Sequence, residues 1–348
     1  MTLNWKAILA RALAGEGISE KEALAIGAIQ EGPELDQLFV VAETVRRHHR
    51  GDAIHTCGIT NAKSGRCPEK CTFCSQSAHF STESPEYSMK QVDEIVGDAL
   101  AAEAGGVREF SVVTSGRRVD NPRELEILEK SFQKIRELTG MQTCASLGLM
   151  GKEELARLQN AGMESMHHNL ETARSFHENI VQTHTYDDEV DTIKAAKSLG
   201  MYVCSGGIFG MGENWAQRVE LALDLRALEV DSVPVNFLDP RPGTPLGNSE
   251  LKPLQNIEHS LNPTECLKII AMLRMVLPAK DIIVCGGREG NLGDSQDQIF
   301  RAGANGMMLG NYLTTKGNAP DKDRDIMDRS GVSIRPPPRP SSNFGGHG

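Results

Sequence analysis

Three cysteines sit on one short stretch, Asn61-Ala-Lys-Ser-Gly-Arg-Cys67-Pro-Glu-Lys-Cys71-Thr-Phe-Cys74, with the spacing C-x3-C-x2-C. Thiolates are soft ligands suited to iron–sulfur clusters and to zinc. Three on one loop can hold three irons of a 4Fe–4S cube and leave the fourth iron open to another ligand. A closed structural zinc site needs a fourth protein ligand. His79, five residues beyond Cys74, could supply it, so a Cys3His zinc loop is the structural alternative. The remaining cysteines are Cys57, Cys144, Cys204, Cys266 and Cys285. Where the compartment is reducing, such residues read as metal ligands, catalytic groups or small core hydrophobes rather than disulfides.

The elements that must position these groups repeat a simple unit. A short apolar run is followed by a loop, a helical pattern ending near glycine, and another apolar run. The pattern predicts strands at Ala53–Thr60, Val107–Thr114, Met141–Leu147, Met163–Asn169, Met201–Gly206, Ser232–Leu238, Asp281–Gly286 and Gly306–Gly310. Helices are predicted near Met89–Ala104, Pro122–Leu138, Lys152–Gln159, Asp187–Leu199, Trp215–Leu228, Pro263–Leu277 and Ser295–Ala302. Ser19 with Glu22 and Ser88 with Gln91 read as capping boxes. Gly105, Gly140, Gly162, Gly200 and Gly303 stand where a left-handed residue would end a helix. Strands separated by helices imply a parallel sheet, and eight of them imply a closed (β/α)8 barrel, with a doubly wound open sheet as the alternative. A barrel takes about 250 residues, which the 348-residue chain accommodates as a helical extension (1–50), a barrel (51–318) and a C-terminal segment (319–348). Pro336, Pro337, Pro338 and Pro340, with the Ser/Gly residues after them, read as a disordered tail. In this scheme the three-cysteine loop follows the first strand, at the end of the barrel where βα loops build active sites.

Composition narrows the partners. With 37 Lys and Arg against 47 Asp and Glu, the formal net charge is −10, which argues against nucleic acid or an anionic membrane surface. No run of roughly 18 apolar residues exists, and the apolar patch within Met1–Gly15 is broken by Lys6 and Arg11. A cytoplasmic location is the expectation. Cys266 and the leucines Leu221, Leu223, Leu225 and Leu228 read as packing, and the charged run Asp321–Arg329 as a solvated face.

The cysteine spacing, with Phe73 before the last thiol, resembles the radical S-adenosylmethionine (SAM) enzymes. There the open iron chelates SAM, and one electron cleaves the sulfonium to methionine and a 5′-deoxyadenosyl radical. The likeness extends from about Leu35 to Gly317. Cys74-Ser-Gln-Ser, Val113-Thr-Ser-Gly-Arg117, His168-Asn-Leu-Glu-Thr172, Thr183-His-Thr-Tyr186, Val203-Cys-Ser-Gly-Gly207, Pro234-Val-Asn-Phe-Leu238, Gly287-Arg-Glu289 and Gly310-Asn-Tyr-Leu-Thr-Thr315 together resemble the biotin synthase family. The resemblance implies a radical SAM sulfurtransferase that inserts sulfur into dethiobiotin, with an auxiliary iron–sulfur cluster as sulfur donor. It also implies a flavodoxin or ferredoxin as electron donor, and a homodimer. Carried over by position, Cys67, Cys71 and Cys74 bind the 4Fe–4S cluster. Phe73, Asn169, Glu171, His184 and Ile208 surround SAM, while Asn169, Asn236 and His167 meet the substrate. His167 stands where the family usually has Asn. Taken singly, each of these polar residues could equally be a strand-end group satisfying the backbone.

The likeness breaks at the auxiliary site. Family ligands, commonly three Cys and one Arg, correspond to Ser111, Cys144, Cys204 and Ile283 here. Serine is a poor iron ligand and isoleucine none. Cys285, however, shares a strand face with position 283, and Cys57 lies on the first strand. Cys57, Cys144, Cys204 and Cys285 therefore fall on strands one, three, five and seven, and alternate strands fill one interior layer of such a barrel. The expectation is an auxiliary cluster, 2Fe–2S or of four-iron type, held by these four thiols. Two other readings remain open on the residues alone, namely a related radical enzyme with another small substrate and a non-catalytic iron–sulfur or zinc protein.

Overall fold

The computed structural model describes residues 3–248 and 261–338. Ten strands form one sheet: β1 (Ala53–Lys63), β2 (Glu109–Thr114), β3 (Gln142–Ser146), β4 (Ser165–His167), β5 (Tyr202–Cys204), β6 (Gly207–Phe209), β7 (Ser232–Phe237), β8 (Asp281–Val284), β9 (Gly306–Met308) and β10 (Ser333–Ile334). All pairings between these strands are parallel. The order β1-β2-β3-β4-β5-β7-β8-β9 closes on itself through β1 and β9. β5 and β6 are halves of one stave that both pair with β7, and β10 lies outside the ring against Ala53 and Ile54. The expected eight-stave barrel is therefore present, and the open sheet is excluded.

Burial explains which residues became strands. β2 and β8 are buried along their whole length, as parallel strands covered on both faces must be. β1 alternates from Thr56 onward. Gly58, Thr60 and Ala62 are buried on one face, while Cys57, Ile59 and Asn61 are half-buried on the other, because that face borders an internal cavity. The helix Pro122–Leu138 buries Leu125, Leu128, Phe132 and Ile135 along one stripe, each side chain contributing roughly 1.5–3 kcal/mol through removal from water. One apolar cluster runs from Leu3 to Val332. The N-terminal helices Glu20–Gly27 and Pro33–Arg50 join it by packing against the helix Pro263–Val276, where Cys266 is fully buried as packing.

Several local expectations shift. The first helix of the barrel region begins at Val92, with Gln91 and Glu94 forming the capping box instead of Ser88 and Gln91. Gly293–Ile299 is a 3-10 helix rather than an α-helix over Ser295–Ala302. Gly105 is right-handed and the left-handed residue is Gly106; Gly140 is not left-handed either. Asp323 does not belong to a solvated face: it is buried and accepts a 2.9 Å hydrogen bond from Arg288. A run of alternating charges hides the one residue that turns inward to meet a buried cation. Of the predicted tail, residues 339–348 lie outside the described residues.

Candidate active site

A cavity of about 290 Å3 opens at the C-terminal end of the barrel and reaches down among the strands. Phe73 and Cys74 of the cysteine loop line its mouth; Cys57, Cys144, Cys204 and Cys285 line it from β1, β3, β5 and the residue after β8. The four scattered thiols expected to converge do so. Ser111 and Ile283, at the positions where the family has ligands, border the same space.

Backbone hydrogen bonds set the shape of the cysteine loop. Cys74 N–H donates to Cys71 O at 2.9 Å, Cys67 N–H to Gln76 O at 3.0 Å, and Ala78 N–H to Cys67 O at 2.8 Å. The Gln76 carboxamide oxygen accepts from Ser64 Oγ and Gly65 N, which ties the loop to the end of β1. Burial pushes the Cys71 thiol well up and the Cys74 thiol up to about 11. Thiols so disposed ionise only with a cation at hand, as metal ligation provides. His79 does not join them. It is exposed, and its Nε2 lies 3.0 Å from Pro68 O. Among the described residues no three cysteines have sulfurs within 4.8 Å of one another, whereas four ligands on one zinc would lie about 3.8 Å apart.

Asn169, Glu171, Ile208 and Asn236 line the opposite wall. The Asn169 side chain donates to Glu171 Oε2 at 3.3 Å and accepts from Gly206 N at 3.2 Å. Glu171 adopts φ +58, a strained choice for glutamate. Ile208 N–H locks it by donating to Glu171 O at 2.8 Å, and Gly207 lies so close that a Cβ there would sit 2.4 Å from the same oxygen. Burial and the charge on Glu189 raise the Glu171 carboxyl to about 8. Asn236 is fixed at both ends of its amide, accepting from Gly286 N at 3.0 Å and donating to Gly207 O at 3.3 Å. His167, on β4, also borders the cavity; burial lowers it to about 4, against the pull of Glu109, so it is neutral at ordinary pH.

His184 is elsewhere. It does not line the cavity, and both ring nitrogens are engaged, Nδ1 at 2.5 Å from Glu69 Oε2 and Nε2 at 2.6 Å from Glu189 Oε1. Burial opposes its charge, yet the two carboxylates raise it to about 9. Glu69 lies between Cys67 and Cys71 and also accepts from Thr183 Oγ1 at 2.5 Å. His184 thus braces the cysteine loop from behind. Sequence reasoning missed Glu69, Glu189 and Glu109. The last faces the cavity floor with His55 Nε2 at 2.8 Å; lying two residues before Ser111, it shares the inward face of β2 and could have been found by alternation.

Residues 62–225 match the Radical SAM superfamily, and residues 234–333 match the Biotin and Thiamin Synthesis associated domain. A biotin synthase of Anaeromyxobacter sp. (strain K) is 52% identical over 321 residues, covering 92% of this chain and 86% of that protein. A biotin synthase of Geotalea uraniireducens (strain Rf4) is 48% identical over 322 residues, with 92% and 95% covered. Among solved structures, a methylornithine synthase aligns with TM-score 0.79 at 18% identity over 94% of this chain and 97% of that one, a likeness of fold.

Proposed function

The chain belongs to the biotin synthase family of radical SAM enzymes, and from that premise we propose that it converts dethiobiotin to biotin by inserting sulfur between two unactivated carbons. Cys67, Cys71 and Cys74 would hold the 4Fe–4S cluster, and Cys57, Cys144, Cys204 and Cys285 the auxiliary cluster. Bound there, the first cluster with SAM supplies the radical that opens each C–H bond, and the second supplies the sulfur.

The chain's own residues bind, orient and enclose. Gln76 fixes the loop against β1, so the three thiols are presented on a rigid element. Asn169 and Glu171 form a hydrogen-bonded pair that suits the amine and ribose hydroxyls of SAM, with Phe73 and Ile208 as apolar walls for its adenine. Asn236, held at both ends by backbone, keeps one N–H and one lone pair free for a cyclic urea. Neutral His167 offers the same complement of one donor and one acceptor. Ile59, Val113, Pro234 and Met308 supply apolar surface for an aliphatic chain. A flavodoxin or ferredoxin as reductant, a homodimer and a cytoplasmic location are proposed from the resemblance. No helix among the described residues is long and apolar enough to cross a membrane.

The observation that carries the reading is that one cavity is bordered by the cysteine loop at its mouth and by four thiols at its floor. Anaerobically reconstituted protein given SAM, reductant and dethiobiotin should form biotin, with deoxyadenosine release stimulated by dethiobiotin. Deoxyadenosine release that dethiobiotin leaves unchanged, without biotin, would instead mark a related enzyme with another substrate.

A further inference from the structure

Behind the cysteine loop, outside the cavity, three potential ligand atoms belonging to His177, His184 and Glu189 lie within 4.8 Å of one another. His177 is the telling member. It sits on the helix Arg174–Ile180, is 2% exposed, and its Nε2 has no hydrogen-bond partner. A ring nitrogen sealed from water without a partner forfeits solvation and regains nothing. A proton shared between His184 Nε2 and Glu189 Oε1, 2.6 Å apart, satisfies those two groups and leaves His177 unserved. A cation among the three serves all of them.

We propose that His177 Nε2, His184 Nε2 and Glu189 Oε1 form a binding site for one divalent cation of the zinc class. Two imidazoles and a carboxylate are a donor set that such borderline ions prefer. The surroundings are built as those of metal ligands are. Glu69 Oε2 sits 2.5 Å from the other His184 nitrogen, Nδ1, so a proton held there leaves the Nε2 lone pair directed at Glu189 and the ion between them, and His168 faces the second oxygen of Glu189. Bonds of about 2.0 Å in a tetrahedron set donors about 3.3 Å apart. Admitting the ion therefore means opening the His184–Glu189 contact slightly and drawing His177 in, a movement of side-chain ends only. Glu189 belongs to the helix Tyr186–Ser198, and Ile180 O accepts from Thr72 N of the cysteine loop at 2.9 Å. The cation would join two helices and, through Glu69, brace the loop that carries Cys67 and Cys71. Its role is in positioning that loop, with no contact to substrate.

The test uses the full-length, anaerobically reconstituted protein, in which iron already occupies thiols. After equilibration with zinc ion and removal of the excess, zinc per chain is counted and the zinc K-edge absorption recorded. The expected result is about one zinc per chain, with nitrogen and oxygen neighbours near 2.0 Å, imidazole scattering, and no sulfur shell near 2.3 Å. His177→Gln should retain at least ten-fold less zinc at equal free metal, and Glu69→Gln should weaken retention while keeping the same shell. No retained zinc, a sulfur shell, or a folded His177→Gln protein that holds zinc like its parent would overturn the assignment. Should that variant fail to fold, the scattering from the parent protein decides alone.

Discussion

His167 shows how a family difference can be chemically small. Burial lowers its imidazole to about 4, so at neutral pH it carries no charge and presents one donor and one acceptor, as an asparagine amide does at lower reach. His167→Asn should therefore preserve kcat within about three-fold and change mainly KM for dethiobiotin, whereas a charged His167→Lys should abolish turnover; steady-state kinetics separate the two effects. Glu171 gives the pH signature of the site. Its carboxyl is raised to about 8 by burial and by Glu189, so the folded protein binds a proton that the unfolded chain releases above about 4.3. Stability contributed by this carboxyl is intact below that value and is lost as pH rises toward 8. Thermal melts of SAM-free protein should show Glu171→Gln gaining on its parent steadily from pH 5 to 8, then levelling; a constant difference would refute the shift. Asn169 and Glu171 were singled out because the stretch His168–Thr172 resembles a family motif, and both border the cavity. The place of His184 was not legible: it lies behind the loop and depends on Glu69 and Glu189, which are remote in sequence or hidden among ordinary helix acids.

The eight staves of the barrel were readable from apolar runs bounded by glycine and helix signals. What the pattern hid was the break between β5 and β6 at Ser205 and Gly206. Its cause is close approach, not propensity. A Cβ on Gly206 would lie 2.1 Å from Pro234 O, and one on Gly207 would lie 2.4 Å from Glu171 O. These glycines look like a strand end in sequence, yet they let the stave run against the Asn169–Glu171 turn and hold Glu171 at its positive φ. Gly207→Ala should push that turn outward. SAM affinity, measured by calorimetry, should fall at least ten-fold, about 1.4 kcal/mol, while the iron bound by the cysteine loop stays unchanged, since that loop hangs on Gln76 and β1.

Only closure of the whole barrel brings Cys57 and Cys285 into one cavity with Cys144 and Cys204. The Cys57 thiol lies against that of Cys285, and this contact together with burial pushes it well up. Four thiols lining one cavity gain from a shared multi-iron partner what no single one gains alone. Fully reconstituted protein should then bind about seven or eight irons if the second cluster is of four-iron type, and about six if it is 2Fe–2S. Replacing Cys67, Cys71 and Cys74 together by alanine should leave the auxiliary irons in place, and replacing Cys144 with Cys204 should leave the loop irons. Cys266→Ala should lose none, because that thiol is buried in helix packing and held up at about 12. Cys57→Ala and Cys285→Ala are the decisive pair. If each lowers iron and sulfide and alters the Mössbauer spectrum of the auxiliary component alone, the four staves have rebuilt a ligand set that Ser111 and Ile283 no longer supply. If both keep full iron and sulfide, the second cluster is held by Cys144 and Cys204 with other groups, and Glu109, on the same floor, becomes the residue to replace next.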